Sequence, residues 1–406
     1  MSYQAIGGGV TAAKGFRASG LHCGIRKNQS KKDLALIVSD VSCNAAAVYT
    51  QNLVQGAPIA VTKQNLTDGL ARAVICNSGN ANTCNADGEE KAKMMCDLIA
   101  AELKIQPEDV IVASTGVIGQ VLPIEPIANA AAQLVQELSP TGSHDAAQAI
   151  MTTDTVTKEA AVELTLGGKK VRIGGIAKGS GMIHPNMATM LAFLTTDAAI
   201  SSEMLDQALR EAVAESFNMV SVDGDTSTND MASILASGLA ENPEITEKNA
   251  DYQAFTEALT QICISLARMM AKDGEGATKL LECRVSGAKS KETARKIAKS
   301  VICSSLLKSA MFGSDANWGR VLCAIGYSGA DIDIHLVDVY FLSRAGKVNV
   351  CMNGAGVPFS EELAKKVLSE PEVMVLIHLH EGDQSAEAYG CDLTYDYVKI
   401  NGDYRS

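Results

Sequence analysis

Hydrophobic and polar positions follow two periods along this chain, and the two alternate from one end to the other. Continuous or period-two apolar runs bounded by Gly, Asn, Asp or Ser predict strands at 33–40 (DLALIVSD), 71–79 (ARAVICNSG), 109–115 (DVIVAST) and 189–196 (TMLAFLTT). Others fall at 218–223, 280–288, 331–342, 372–380 and 391–401. Residues 161–176 (AVELTLGGKKVRIGGI) carry two alternating runs around Gly167 and Gly168, a pattern for a two-residue hairpin. Helical spacing predicts helices at 88–103, 202–217, 246–271, 291–313 and 360–369. In the third of these, Phe255, Leu259, Ile262, Leu266 and Met269 form one apolar stripe, and KDG ends it with a cation and a glycine. The interleaving predicts a mixed α/β or α+β fold in which helices cover sheets. From 280 onward a fresh β, α, β, β, α, β succession begins, so a domain boundary is expected near residue 280.

Composition narrows the chemistry. The chain has 406 residues, and 35 Lys plus Arg against 47 Asp plus Glu give a net charge of −12, which argues against nucleic acid as a partner. Aromatic residues make up 4%, so the core must be aliphatic and a deep aromatic cofactor pocket is not expected. No apolar run approaches the roughly 18 to 20 residues of a membrane span, and the N-terminus has no signal-peptide pattern, so no membrane partner and a cytoplasmic location are expected. Eleven cysteines stand singly without a CxxC pair, which suits reduced, buried thiols.

Several familiar motifs fail on inspection. In GGIAKGSG, Gly174 and Gly179 have phosphate-loop spacing, but Ser180 stands where the lysine is required. DGDTSTND begins like a calcium loop at Asp223 and Asp225, yet Thr228 replaces the needed glycine and Ile234 the needed glutamate. The six histidines have no metal-ligand spacing, so His378 and His380 read as structural and no metal site is expected. The glycines at 7–9 lack the preceding strand of a dinucleotide fingerprint.

What remains is a loop running into a strand, KGSGMIHPNMATMLAFLTTDA at 178–198, with the hydroxyl of Thr189 at the junction behind the small Ala188. Such junctions present side chains at sheet edges, although a threonine opening a strand is also an ordinary β-former. ASTGVIG at 113–119 ends a strand in small residues whose N–H groups could hold an oxyanion. MTTDT at 151–155 adds hydroxyls beside a carboxylate, and KDGEGATK at 272–279 sets Glu275 between glycines.

With NSGNAN (77–82), DGDTSTND (223–230), GSDANWGR (313–320) and the terminal YDYVKINGDYRS, these segments resemble, in order and over essentially the whole chain, the ornithine acetyltransferase or glutamate N-acetyltransferase family of arginine biosynthesis. The resemblance implies an N-terminal-nucleophile-like sandwich of sheets covered by helices, of the β-aminopeptidase type, with a C-terminal α+β domain. It implies self-cleavage between Ala188 and Thr189, giving an α chain of 1–188 and a β chain comprising 189–280 and the domain 281–406, assembled as α2β2. Thr189 would then be the acetyl-accepting nucleophile, with Thr115 and Gly116 at the oxyanion and Thr152, Lys178, Thr189, Glu275, Asn401 and Ser406 binding substrate. Acetylornithine and glutamate would be the substrates, acetyl-CoA a further candidate donor, and no cofactor would be needed. The chain departs from the family in Gly402 and Ser406, where members often carry Ala and Thr; the terminal hydroxyl is kept. Two alternatives stay open on the residues themselves: a hydrolase of the same architecture, in which water takes the acyl group, and a non-catalytic binding protein in which Thr189 is structural.

Overall fold

The computed structural model describes residues 3–184 and 190–403; Ala188, Thr189 and Ser406 lie outside the described residues. Its chain divides into two compact units, one of 1–179, 185–217 and 226–266, the other of 180–184, 218–225 and 267–406. Among the described residues no helix is long and apolar enough to cross a membrane.

The first unit is built on a nine-stranded sheet among the described residues. Its path runs Tyr3–Ile6, Lys158–Leu166, Lys169–Lys178, Leu191–Thr196, Met231–Ala236, Leu34–Tyr49, Leu70–Asn77 and Val110–Ser114, with Phe16–Leu21 paired to the side of Leu34–Tyr49. The hairpin at Gly167 and Gly168 forms as expected, both glycines taking positive φ. The 16-residue strand Leu34–Tyr49 is the pivot. Residues 34–38 pair with Leu70–Asn77, a register shift follows between Val38 and Cys43, and residues 44–49 pair with Met231–Ala236. That bulge lets one strand serve two differently oriented halves of the sheet.

Alternation then fills both faces. Ala35, Ile37, Val74, Cys76, Ile111 and Ala113 point into one core with Ile176, Leu191, Phe193, Met231 and Leu235 from the other half, so the sheet folds over on itself around shared apolar contacts. Leu34, Leu36, Val38, Ala73, Ile75, Val110 and Val112 point the other way and pack under the helices Gly88–Leu103 and Glu125–Gln136 through Met95, Ile99, Ile127 and Leu134. The observed fold is thus the expected mixed α/β sandwich, with a core mainly of Ala, Val, Ile, Leu and Met into which Phe16, Phe193, Phe217, Phe255, Phe341 and Tyr389 are also buried.

The second unit carries a seven-stranded sheet among the described residues, whose centre is Asp338–Ser343, Glu372–His378, Leu280–Ala288 and Gln384–Cys391. Four expectations are corrected here and nearby. The helix expected over 291–313 is two, Lys291–Cys303 and Ser305–Phe312, because Ser304 leaves the helical region and its hydroxyl caps the second by accepting from Leu307 N–H. The strand expected at 331–342 is Asp338–Ser343 alone; Asp333 caps a short 3-10 turn at Ile334–Leu336 instead. The strand expected over 391–401 stops at Cys391, and Tyr395–Gly402 is a helix capped by the Thr394 hydroxyl, with Asp396 in its first turn. The helix expected from 246 starts at Ala250. The helices Ala57–Asn65, Glu125–Gln136 and Ser143–Ala149 are not expected from the sequence: the first is only nine residues long and buries Pro58, Ile59, Val61 and Thr62, while alanines make up half of the buried face of the second and most of that of the third.

Candidate active site

Thr115 and Gly116 leave the strand Val110–Ser114 at the edge of the sheet. The Thr115 N–H is already used, donating to the Asn77 carbonyl at 2.9 Å, so of its two donors only the hydroxyl is left for a ligand. Gly116 has φ +129°, and a Cβ there would lie 2.7–2.9 Å from the backbone of Gly79 and Asn80. Only glycine fits so close an approach. Its own N–H has no partner among the described residues. Asn77 shapes the facing loop, its side-chain carbonyl accepting from Gly79 N–H (3.3 Å) and Asn80 N–H (3.1 Å) and its amide donating to Ser114 Oγ (2.6 Å).

Lys178 ends the strand Lys169–Lys178, directly opposite Leu191 in the adjacent strand. Four strands separate it from Val110–Ser114 in the sheet order, yet the folded-over sheet brings its Nζ to 3.4 Å from Thr115 Oγ1. Lys178 is 8% exposed. Burial lowers its pKa, against the pull of the Asp154 and Asp230 carboxylates. Beneath it, Asp154 and Lys158 form a fully buried ion pair at 2.7 Å, and Asp154 Oδ1 also accepts Gly179 N–H at 2.7 Å. Burial opposes the Asp154 charge, but the Lys158 and Lys178 ammoniums hold its carboxyl well below the usual carboxylate range. The other Asp154 oxygen accepts Thr152 N–H at 3.0 Å, which fixes the half-buried Thr152 on the same loop. Arg26 ties this loop to the Asn77 loop by donating to the carbonyls of Ser78 and Met151.

In the second unit, Glu275 is 7% exposed and sits against Gly181, where a Cβ would fall within 2.3–2.4 Å of the Glu275 carboxyl. Glu275 N–H donates to the Ser180 carbonyl at 2.9 Å, and Asn401 Nδ2, on the helix Tyr395–Gly402, donates to Glu275 Oε2 at 2.8 Å. The DGDTSTND aspartate Asp223 accepts the backbone N–H groups of Met182 (2.6 Å) and Ile183 (2.9 Å), so its carboxylate pins the loop that leads to the Ala188–Thr189 junction. His184, next along that loop, meets Ser221 Oγ at 3.1 Å and Cys303 Sγ at 3.3 Å.

A family model for ArgJ matches residues 17–406. The chain belongs to the ArgJ family. An ArgJ relative from Symbiobacterium thermophilum, named an arginine biosynthesis bifunctional protein, is 53% identical over 403 residues, 99% of each chain. The ArgJ protein of Bacillus subtilis, of the same name, is 50% identical over 403 residues, 99% of this chain and 97% of its own. The crystal structure of the ArgJ protein of Bacillus halodurans aligns with a TM-score of 0.50 at 44% identity, covering 53% of this chain and 99% of that one.

Of the residues expected from the sequence, the structure gathers Thr115, Gly116, Thr152 and Lys178 in the first unit and joins Glu275 to Asn401 in the second. Sequence reading passed over Asp154, Lys158 and Asp230 as individual residues. Asp154 and Asp230 stood inside quoted motifs, but nothing in a motif tells a buried carboxylate from a solvated one, and the Asp154–Lys158 spacing also suits an exposed helix pair.

Proposed function

We propose that this ArgJ family member moves acetyl from N2-acetylornithine to glutamate through an acetyl ester on Thr189, after cutting its own chain between Ala188 and Thr189. The observation that supports this reading is the Gly116 N–H, without a partner among the described residues, next in the chain to the Thr115 hydroxyl, which lies 3.4 Å from the Lys178 ammonium. Such preorganised donors stabilise a developing oxyanion by roughly 3–4 kcal/mol each. Near-complete matching of the Bacillus halodurans chain to only 53% of this one accords with family members existing as two pieces, since 218 of 406 residues is about 54%.

A threonine hydroxyl needs an adjacent base at neutral pH. Cleavage supplies one, because the freed α-amine of Thr189 has a pKa of about 7.7–8.0 in the unperturbed state and is carried by the same residue. The hydroxyl attacks the acetyl carbonyl of acetylornithine, the oxyanion rests on Gly116 N–H and Thr115 Oγ, ornithine leaves, and the glutamate amine then attacks the ester. Lys178 pairs with a substrate carboxylate, Glu275 with the ornithine side-chain amine, and Asn401 orients Glu275; the hydroxyls of Thr152 and Ser406 complete substrate binding. Acetyl-CoA serves as the second donor, no metal or bound cofactor takes part, and the two products assemble as α2β2.

Thr189→Ala is expected to leave one 42.6 kDa chain by intact mass and to abolish acetyl transfer. Two chains from that variant would remove Thr189 from its role. Acetylornithine consumption that is equally fast without glutamate would instead make the enzyme a hydrolase.

A further inference from the structure

Asp154 has no task in the transfer cycle above, yet both of its oxygens are committed. Oδ1 accepts the Gly179 N–H and the Lys158 ammonium, each at 2.7 Å, and Oδ2 accepts the Thr152 N–H at 3.0 Å. Lys158 opens the strand Lys158–Leu166 opposite Ala177, and its ammonium also donates to the Val156 carbonyl at 3.2 Å. Neither side chain of the pair meets solvent. The carboxylate therefore joins the loop that carries Thr152, the start of one strand and the end of its neighbour, Lys169–Lys178. Gly179, which it holds by the backbone, is bonded directly to Lys178.

Stability alone does not account for such a pair. Well-packed apolar side chains of similar volume commonly hold a core as well as a buried ion pair does, because they have no hydration to lose. What they cannot do is accept two main-chain N–H groups, or set a negative charge near Lys178. Burial favours the neutral amine of Lys178, which is 8% exposed. The Asp154 and Asp230 carboxylates and Cys76 act to keep the proton on it, the Lys158 ammonium acts to remove it, and the Thr115 hydroxyl lies 3.4 Å away. Of these charges, that of Asp154 acts most strongly. We propose that Asp154 is a positioning residue for acetyl transfer: with Lys158 as its counter-ion, it holds Lys178 and Thr152 by the backbone in the arrangement that receives the substrate carboxylate. The inference rests on the reading of Lys178 as the partner of that carboxylate.

Ornithine keeps the carboxylate of acetylornithine but has no acetyl group to give, so calorimetry can follow its binding without turnover. The unaltered chain, the double variant Asp154→Asn/Lys158→Met and Lys178→Met are compared at several pH values, and thermal unfolding is recorded for each. The double variant removes both charges together and strands neither, so it should fold with a Tm close to that of the unaltered chain. It should bind ornithine at least about tenfold more weakly, a loss of the size of one hydrogen bond to a charged group. Part of the weakening at high pH belongs to the ligand amines and is common to every preparation. The part due to Lys178 should move to lower pH in the double variant, because Asp154 outweighs Lys158 in holding the proton on; a purely structural pair would leave it in place. An unaltered affinity, an unmoved alkaline loss, or a double variant that does not fold overturns the role of Asp154. Lys178→Met separates the two levels, since binding as tight as that of the unaltered chain would defeat the carboxylate assignment of Lys178 itself.

Discussion

At the scale of single residues, the site is defined by how few alternatives each position leaves. Gly116 is the sharpest case, since φ +129° and the backbone of Gly79 and Asn80 together exclude any side chain. Gly116→Ala must displace the N–H to which the proposed mechanism gives the oxyanion. The expected outcome is a fall in kcat for acetyl transfer of roughly hundredfold, the cost of losing one such donor, with KM for acetylornithine little changed. Steady-state kinetics that show a raised KM at unchanged kcat would contradict the oxyanion role. Thr115 shows where sequence reading had to stop. Its N–H is taken by the Asn77 carbonyl, a contact between strands that no local pattern displays. Asp154 is the opposite case, visible in MTTDT but with its two lysine partners brought to it only by folding.

Elements show why the C-terminal end was misread. YDYVKIN alternates like a strand, and period alone cannot separate seven such residues from a capped helix. The Thr394 hydroxyl decides the matter by accepting from Tyr397 N–H, and it also donates to the Gly276 carbonyl at 2.7 Å, so the cap anchors the helix beside Glu275. Thr394→Ala removes both bonds. It is expected to lower stability by about 1 kcal/mol, seen as a lower Tm in calorimetry, and to raise KM for acetylornithine as Asn401 loses its hold on Glu275. An unchanged KM would separate the helix from substrate binding. Long, strongly periodic elements such as Gly88–Leu103 and the hairpin at Gly167 were legible because every residue repeats the same message. The fold-over of the first sheet was not, since it depends on a bulge inside one uninterrupted strand pattern.

For the molecule as a whole, pH dependence follows from groups whose titration folding suppresses. Burial, helped by the Lys299 ammonium and opposed by Asp225, lowers the His184 pKa from 6.5 to about 4. Between those values the unfolded chain binds the proton and the folded chain does not, so stability rises with pH across that window and is lost as pH falls from about 6.5 to about 4. Tm should therefore drop steadily through that range, and His184→Gln should flatten the slope; an equal slope in the variant would place the effect elsewhere. Asp154 adds a second loss at lower pH, because its depressed pKa stabilises the fold above the ordinary carboxylate value and that stability disappears as acid titrates the folded form. The acidic balance of the chain, −12, would give the proposed glutamate acceptor no general attraction, which leaves that task in the proposed mechanism to local cations. The central claim is covalent, and mass spectrometry of the whole protein addresses it most directly. Incubated with acetylornithine and no glutamate, the protein should show two chains, of 188 and 218 residues, with one acetyl group on the chain that begins at Thr189 and its release when glutamate is added. A single intact chain, or two chains of which neither takes up acetyl, would contradict the account.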